Sequence, residues 1–339
     1  MFVVDLSIII VNHNVKDYLQ ACIQSIYKET FGISFEIIVI NNTPHDGASE
    51  MIRKEFPDVR IIDNTEIKGY SVNNNQGIKV SRGRYVLLLN PDTIVLDNAF
   101  AKMIKFADIH LDAGIFGLKI LNPDMSIQNA GGNAIVTPLR LMWNTLLRDV
   151  MRIPESVLEH LLHKQRGSIS FSMILKKPFL CTKKVRVVMG ACFLIRRKVL
   201  EEIGVLDENL FFGGEELEYC TRTRINKWTI YYINEAEIIH FVGKSRASLK
   251  TVANGGNFNP LINVIAPTEY FFYKYYVKNK FTKIAVLVSI AFMATTNFLR
   301  LYIGDFVYQG PKRVTIRDLF VVFKQLIIHG KIGSLYKHG

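Results

Sequence analysis

Two periodicities of hydrophobic residues alternate along the first 90 residues of the chain. Continuous apolar runs are typical of buried strands, and they occupy residues 6–11, 35–40, 59–62 and 85–89. Apolar residues at helical spacing predict helices between these runs, at residues 18–26, 48–56 and 71–80. Strands that are apolar throughout and separated by helices predict a parallel sheet with helices on both faces. Such α/β folds bind their ligands at the carboxyl ends of the strands.

The middle of the chain follows a different pattern. Residues 138–186 are basic, contain scattered aromatic residues and have few turn signals. This stretch predicts an insertion with one or two amphipathic helices at 139–162. Strand and helix patterns then return, and they predict strands at 185–196, 229–233 and 236–239 and helices at 198–203 and 215–226.

The end of the chain is predicted to form a separate segment. A Gly/Asn-rich stretch at 254–257 predicts a boundary between a first domain over 1–250 and a helical extension over 251–339. Residues 284–299 are uncharged for 16 residues, which is shorter than the roughly 20 residues of a membrane span. A second apolar stripe follows at 316–327. We therefore expect helices that lie in a membrane interface or pack on a partner, rather than helices that span a bilayer.

Composition narrows the class of protein. The chain has 339 residues, 49% of them hydrophobic, which is enough for one large domain with an appendage. Its four cysteines have no dense spacing, so we expect neither a disulfide framework nor a zinc cluster, and a reducing cytoplasm fits best. No basic leader precedes the first apolar run, which indicates a strand and not a signal peptide.

The net charge of +12 is concentrated in two segments. Residues 140–186 carry +7 and residues 270–339 carry +9, so the rest of the chain sums to −4. Because the basic residues are interleaved with apolar ones, the pattern favours an anionic membrane surface and excludes a nucleic-acid partner. The alternative is an ordinary solvated basic face.

One candidate site follows the predicted strand 85–89. Asp92 comes two residues after that strand, where its carboxylate would project into the crevice at the sheet edge. A divalent cation held by one or two carboxylates and substrate phosphates suits this position. The alternative is that Asp92 caps the following turn.

Two further candidates lie near the end of the predicted first domain. Gly213-Gly214 precedes three carboxylates, Glu215, Glu216 and Glu218, at the start of a predicted helix. Neighbouring carboxylates raise one another's pKa, which makes one of them a candidate general base, although acids at a helix start also complement its dipole. His240 ends a predicted strand and is either a metal ligand or a structural histidine.

The order of these segments resembles glycosyltransferase family 2 with a GT-A fold, which is a Rossmann-like, mostly parallel sheet flanked by helices. The similarity covers about residues 5–248 and rests on the segments SIIIVNHN, EIIVINN, KGYSVNNNQGI, RGRYVLLLNPDT, GACFLIRR, LFFGGEELEYCTRTR and EAEIIHFVGKS. The chain is most similar to bacterial rhamnosyltransferase-like enzymes of cell-surface polysaccharide assembly. The insertion and the C-terminal extension match no motif of the family.

The resemblance implies a role for each matched residue. The metal motif of the family falls on Asn90-Pro91-Asp92, so Asp92, with His240, is expected to bind Mg²⁺ or Mn²⁺. The acidic pair falls on Glu215 and Glu216, and Glu216 takes the position of the catalytic base. The remaining positions are donor-nucleotide contacts at Val11, Asn12, Asn14, Asn41, Asn74, Asn75, Gly77, Asn90 and Pro91, and acceptor-side or orienting residues at Gly190, Ala191 and Arg222. Asn41 stands where an Asp commonly contacts the base, and an amide can still hydrogen-bond a pyrimidine edge.

The resemblance implies an inverting, metal-dependent glycosyltransferase that uses a nucleoside-diphosphate sugar, with rhamnose as the favoured sugar. We expect a lipid-linked saccharide acceptor and a peripheral location on the cytoplasmic face of the inner membrane. A homodimer interface is the other use we consider for the extension. The alternative functions are a polyprenyl-phosphate glycosyltransferase and a catalytically inactive sugar-nucleotide-binding module.

Overall fold

The computed structural model describes residues 4–43, 46–128, 131–132, 181–211, 213–241, 260–307, 320 and 324. The helices predicted at 139–162 and the linker predicted at 254–257 lie outside these residues, as does most of the apolar stripe at 316–327. Contacts within the chain divide it into two compact units. The first holds the described residues 4–132, 181–211 and 215–241, and the second holds residues 213–214 and those from 260 onward.

The first unit is built on a large twisted sheet. The described strands of this unit are β1 Leu6–Asn12, β2 Phe35–Asn41, β3 Arg60–Asp63, β4 Tyr85–Leu89, β5 Thr93–Val95, β6 Ala113–Leu121, β7 Ile127–Gln128, β8 Gly131–Gly132, β9 Lys183–Lys184, β10 Val187–Val188, β11 Cys192–Arg196 and β12 Thr229–His240. Strands β8 and β10 form a separate, two-stranded sheet, and the others belong to the large sheet. The strand order of the large sheet is β3-β2-β1-β4-β11-β6-β12-β5, with β7 beside β6 and β9 beside β12.

Helices accompany the strands of this unit. They are α1 Lys16–Glu29, α2 Ala48–Glu55, α3 Tyr70–Val80, α4 Ala99–Ile109, α5 Arg197–Ile203 and α6 Glu215–Ile225. In α1 the apolar residues at helical spacing, Leu19, Cys22, Ile23 and Ile26, are all buried. Strand β1 is buried along its whole length, as expected for a strand covered on both faces.

The predicted strands and helices of the first 90 residues are confirmed to within three residues at each end. The sheet is mixed rather than wholly parallel, because β11 runs antiparallel between β4 and β6, and β5 runs antiparallel to β12. The two strands expected at 229–233 and 236–239 form the single strand β12, whose pairing with β6 shifts register between Ile233 and Glu237. No element was predicted over residues 93–121, where the structure has β5, α4 and β6.

The strand expected at 185–196 is two strands that belong to different sheets. Strand β11 enters the large sheet, whereas β10 pairs antiparallel with β8, so that Val187 lies opposite Gly132 and Val188 opposite Gly131. This two-stranded sheet brings together the chain that precedes residue 133 and the chain that follows residue 181. We call it the β8–β10 neck.

The second unit contains two helices that pack against each other, α7 Pro260–Tyr276 and α8 Lys280–Val307. Buried side chains on both helices form the contact, among them Phe272 on α7 and Val286 and Ile290 on α8. Among the helices that the structure describes, none combines the length and the apolar character needed to cross a membrane.

Candidate active site

The candidate site lies at one edge of the large sheet. Strands β1, β2, β3 and β4 run parallel, so their carboxyl ends meet there, and Asn12, Asn41 and Asp63 stand side by side in register. Because β11 runs in the opposite direction, its first residue, Cys192, lies opposite Leu89 at the end of β4. His240, the last residue of β12, pairs with Thr93 at the same edge. The sheet thus gathers residues that are far apart in sequence.

Asp92 and His240 form a buried pair at this edge. The Asp92 Oδ1 atom lies 3.4 Å from His240 Nε2, and the two residues are 2% and 6% exposed. His240 Nδ1 lies 2.9 Å from the amide oxygen of Gln128. Because that oxygen only accepts, Nδ1 carries the proton and Nε2 presents a lone pair. The side chain of Asn90 donates to this lone pair over 3.3 Å, and Gln128 is fixed by donating back to the carbonyl of His240 over 3.2 Å.

The pair suits a divalent cation. Among the described residues, Asp92 Oδ1 is buried and accepts no hydrogen bond, which is costly for a carboxylate unless another group binds there. A carboxylate oxygen and an imidazole nitrogen are both ligands for Mn²⁺ or Mg²⁺, and the hydrogen bond from His240 to Gln128 is the usual support for a metal-binding histidine. No group of three or more His, Cys, Asp and Glu side chains suitable for a metal occurs in the described part of the chain. Two protein ligands would therefore leave coordination positions for phosphate oxygens.

The acidic pair at the start of α6 faces the turn before β11. A Cβ atom placed on Gly190 would lie 3.7 Å from the Cδ and Oε1 atoms of Glu216, so the glycine leaves space beside that carboxylate. Burial raises the pKa of Glu216 above its ordinary value of 4.5. The pKa of Tyr70 is also raised, first by burial and then by the negative charges of Glu215, Glu216 and Asp92. Tyr70 therefore experiences the negative charge of both the acidic pair and Asp92.

A network of buried amides occupies the ends of β1 and β2. The Asn41 side chain donates to Ser49 Oγ over 2.8 Å and to Asp63 Oδ1 over 3.1 Å, while its oxygen accepts from Asn12 Nδ2 over 2.9 Å. Asn12 Nδ2 also donates to Asp46 Oδ2 over 2.6 Å. Since Asn41 is fully buried and uses both its donors and its acceptor within the protein, it acts as a scaffold for this corner. The expected contact of Asn41 with a nucleotide base stays a prediction.

The other predicted donor contacts are spread over the same edge. Val11 is buried within β1, and Asn14 is exposed, with φ of 57° and its N–H donating to Thr43 Oγ1 over 2.8 Å. Asn90 N donates to the carbonyl of Ala191 over 3.0 Å, which ties the turn containing Pro91 to the turn before β11. Asn74 Nδ2 donates to the carbonyl of Tyr70 over 2.9 Å.

Two of the predicted donor contacts have packing roles in the fold. Asn75 Nδ2 donates to the carbonyl of Leu206 and to the Glu208 carboxylate, each over 2.9 Å, and its oxygen accepts from Leu206 N over 3.1 Å. Gly77 lets α3 approach β1 closely, because a Cβ atom there would lie 2.5 Å from Ile9 Cγ2. Asn75 therefore holds the loop that leads to the acidic pair.

Arg222, one of the predicted acceptor-side or orienting residues, pairs with Glu218. Its Nε and Nη2 atoms lie 3.1 and 2.9 Å from the two carboxylate oxygens of Glu218, four residues earlier on α6. Its guanidinium also donates to the carbonyls of Ile203 over 2.7 Å and Val205 over 2.9 Å. Arg222 and Asn75 thus hold the same loop from two sides.

The contacts of Asn75 are expected to contribute to the stability of the fold. Asn75→Ala removes three hydrogen bonds and leaves the N–H and the carbonyl of Leu206 buried, so the free energy of unfolding should fall by about 1–3 kcal/mol. Urea unfolding followed by circular dichroism measures the change. The matched control is Gln20→Ala, whose amide bonds Glu55 at the surface and should cost under about 0.5 kcal/mol. Equal losses for both variants would contradict the assigned role of Asn75.

Two residues of the site were not predicted from the sequence. Gln128 lies on a two-residue strand with no motif around it, and it reaches His240 across 112 positions of sequence. Tyr70 stands within the predicted segment KGYSVNNNQGI. The effect of the charges of Asp92 and Glu216 on it depends on how α3 is placed against the sheet edge.

Comparison with known sequences decides the family. The sequence model described as glycosyl transferase family 2 matches residues 7–204, which is more than half of the chain. The chain belongs to glycosyltransferase family 2. The low-salt glycan biosynthesis hexosyltransferase Agl10 of Haloferax volcanii is 28% identical over 244 residues, which cover 70% of this family 2 chain and 67% of Agl10.

A second relative of this family 2 chain is the N-acetylglucosaminyl-diphospho-decaprenol L-rhamnosyltransferase of Mycobacterium tuberculosis. It is 21% identical over 227 residues, which cover 60% of this chain and 66% of that enzyme. The chain spans between 12% and 67% of the length of the first relatives that it matches. Several of these relatives are therefore much longer proteins.

A solved structure shows that this family 2 protein has the GT-A fold. The mannosyltransferase PcManGT of Pyrobaculum calidifontis, in complex with GDP-Man and Mn²⁺, superposes with a TM-score of 0.51 at 12% identity. The match covers 99% of this chain and 84% of that one. The predicted fold class and the predicted family are confirmed.

Proposed function

We propose that this protein is an inverting, metal-dependent glycosyltransferase that transfers a sugar from a nucleoside-diphosphate donor to a hydroxyl group of a lipid-linked saccharide. The observation that carries the proposal is the buried Asp92–His240 pair at the sheet edge. The half-buried carboxylate of Glu216 supports it, because the charges of both Glu216 and Asp92 raise the pKa of Tyr70. A reaction of this kind needs a group that neutralises the negative charge of the leaving diphosphate. It also needs a base that removes the proton from the acceptor hydroxyl.

Asp92 and His240 would hold the divalent cation. When bound, Mg²⁺ or Mn²⁺ would neutralise negative charge on the diphosphate. The protein supplies the support for this site, because Gln128 fixes the tautomer of His240 that leaves a lone pair on Nε2. A bound cation would take the place of the hydrogen bond that Asn90 donates to that lone pair. The Mn²⁺ in the PcManGT structure is in keeping with this proposal.

Glu216 would remove the proton from the acceptor hydroxyl. Its raised pKa improves it as a proton acceptor in the ionised form, and Gly190 places no side chain against the carboxylate. As the oxygen bonds to the anomeric carbon, the bond to the diphosphate breaks, and Glu216 keeps the proton. A single displacement of this kind inverts the anomeric configuration.

The names of the relatives support the acceptor class. The Mycobacterium tuberculosis relative is named as a rhamnosyltransferase that acts on a saccharide carried by a polyprenyl diphosphate, and Agl10 is named for glycan biosynthesis. We therefore propose a role in surface polysaccharide assembly at the cytoplasmic face of the inner membrane, with the protein bound peripherally. We propose dTDP-rhamnose as the donor, and the name of this relative, an L-rhamnosyltransferase, supports rhamnose as the transferred sugar.

A panel of donors and metals tests the proposed function. The melting temperature is measured with dTDP-, UDP- and GDP-sugars, each with Mn²⁺, with Mg²⁺ or with a chelator. The correct donor should stabilise the protein by about 2.7 kcal/mol at a concentration 100 times its Kd, and only when metal is present. Nuclear magnetic resonance of the product with a lipid-linked acceptor should show the inverted anomer.

Each result of the panel separates the candidate functions. Binding without hydrolysis or transfer would indicate an inactive sugar-nucleotide-binding module. Transfer to a polyprenyl phosphate itself would indicate the alternative enzyme class. If no nucleotide sugar raises the melting temperature under any condition, the proposal is wrong.

A further inference from the structure

The connection between α7 and α8 forms a compact, ordered turn. Asn279 caps α8, because its side-chain oxygen accepts from Thr282 N over 2.9 Å, and its carbonyl accepts from Lys283 N over 3.0 Å. In return, Thr282 Oγ1 accepts from the backbone N–H groups of Lys278 and Asn279, each over 2.9 Å. This reciprocal capping holds the end of the hairpin in one conformation. We call residues 274–288 the hairpin tip.

The first half of α8 is apolar on two sides. Val286, Ile290 and Met293 are buried, as expected for the side that packs within the second unit. The other side carries a row at helical spacing that faces solvent, and its exposed fractions are 84% for Phe281, 50% for Ile284 and 55% for Val288. A helix that only packs against its own domain needs one apolar side and has polar residues on the other. The exposed row therefore indicates that a further apolar phase or partner covers it.

Positive charge surrounds the exposed row. The lysines at 274, 278, 280 and 283 are all exposed, and the sequence has no Asp or Glu from residue 270 to residue 304. The ammonium group of Lys274 lies 5.7 Å from the ring centres of both Tyr270 and Tyr275. Tyrosine rings beside cations and an apolar row are the composition of segments that lie at the boundary between lipid headgroups and acyl chains.

We propose that the hairpin tip docks on an anionic lipid leaflet, with Phe281, Ile284 and Val288 among the acyl chains and the four lysines at the headgroups. An anionic leaflet uses both features of the tip, whereas a polynucleotide would use the charge and leave the apolar row exposed. The inference deepens the proposed function, because it assigns to particular residues the peripheral attachment that a lipid-linked acceptor requires. Vesicle binding is measured without donor, so its result is independent of the donor panel.

The test is cosedimentation of the full chain with vesicles of phosphatidylglycerol and phosphatidylcholine in equal parts, and with vesicles of phosphatidylcholine alone. One variant combines Phe281→Gln, Ile284→Gln and Val288→Gln, and a second combines Lys278→Gln, Lys280→Gln and Lys283→Gln. Glutamine is a good helix former, so α8 should persist in both. Circular dichroism and the melting temperature check the fold of each variant. If the apolar variant does not fold, the lysine variant alone still tests the proposal.

The charge variant should bind the anionic vesicles about 100-fold more weakly than the natural chain, since each cation near the leaflet contributes roughly fivefold. The apolar variant should lose at least about tenfold. Matched controls remove similar groups from the first unit: Ile109→Gln with Leu111→Gln removes two exposed apolar side chains, and Lys54→Gln, Lys79→Gln and Lys105→Gln together remove three exposed cations. The controls should bind as the natural chain does.

Several results would overturn the proposal. One is that the natural chain binds both kinds of vesicle equally well or binds neither. Another is that both tip variants bind the anionic vesicles as tightly as the natural chain does. If the natural chain does not bind vesicles but sediments as a dimer, and the apolar variant sediments as a monomer, the row is a contact between two copies of the chain. If the chain binds vesicles as described but binds no nucleotide sugar, the docking proposal stands and the proposed function is wrong.

Discussion

Glu216→Gln is expected to slow sugar transfer by about two to four orders of magnitude while the Kd for the donor stays unchanged. The substitution keeps the size of the side chain and removes its capacity to accept a proton, and a loss of this size is usual for a general base. Because burial raises the pKa of Glu216 above 4.5, transfer should fall as the pH falls through that raised pKa, where the carboxylate takes up a proton. The measurements are kcat as a function of pH and donor affinity by calorimetry.

Glu215→Gln is the matched control, since it removes the neighbouring charge from the same turn of α6. Its effect on kcat should be at least tenfold smaller. The acid limb of the pH profile should persist in Glu215→Gln and be absent from the residual activity of Glu216→Gln. A large loss in Glu215→Gln, with near-natural transfer by Glu216→Gln, would show that the base is assigned to the wrong member of the pair.

Asp92→Asn is expected to weaken metal-dependent donor binding by at least about 100-fold while the fold is retained. The change removes the charge of one of the two proposed protein ligands, whereas loss of a supporting residue alone costs about 10–100-fold. Gln128→Leu should therefore show the smaller loss, because it removes only the partner of His240. Calorimetric titration of the donor, with Mn²⁺ and with a chelator, measures both.

Asp97→Asn is the control for charge alone. Asp97 lies shortly after β5, its side chain is exposed, and it pairs with Lys102 at the surface over 2.5 Å. Its variant should bind the donor as the natural protein does. Unchanged donor affinity of Asp92→Asn in the presence of metal would rule out Asp92 as a metal ligand.

The first half of the fold was predictable because its patterns are local. Each early strand is an unbroken apolar run, and each helix has its apolar residues at a spacing of three or four. Helix α4 carries the same signal at Phe100, Met103, Ile104 and Ala107, so its omission was an error of interpretation. The direction of β11 is different, because an apolar run does not specify whether a strand pairs parallel or antiparallel.

The candidate site was predictable where a residue follows a strand directly. Asp92 and His240 were expected at the same edge, and the structure places them 3.4 Å apart. Arg222 pairs with Glu218 because four residues make nearly one helical turn, whereas Glu216 is six residues away and lies on another side of α6. The contact of Asn75 with Leu206 spans 131 positions and depends on tertiary packing that no local pattern encodes.

The β8–β10 neck has a consequence for how this protein can change over evolution. Its backbone pairs hold residues 131–132 beside residues 187–188, so they fix the two ends of the intervening segment 133–186. Closure entropy grows only with the logarithm of loop length, by about 0.6 kcal/mol for each doubling. The segment that enters and leaves through the neck can therefore be lengthened, shortened or exchanged at little cost to the sheet.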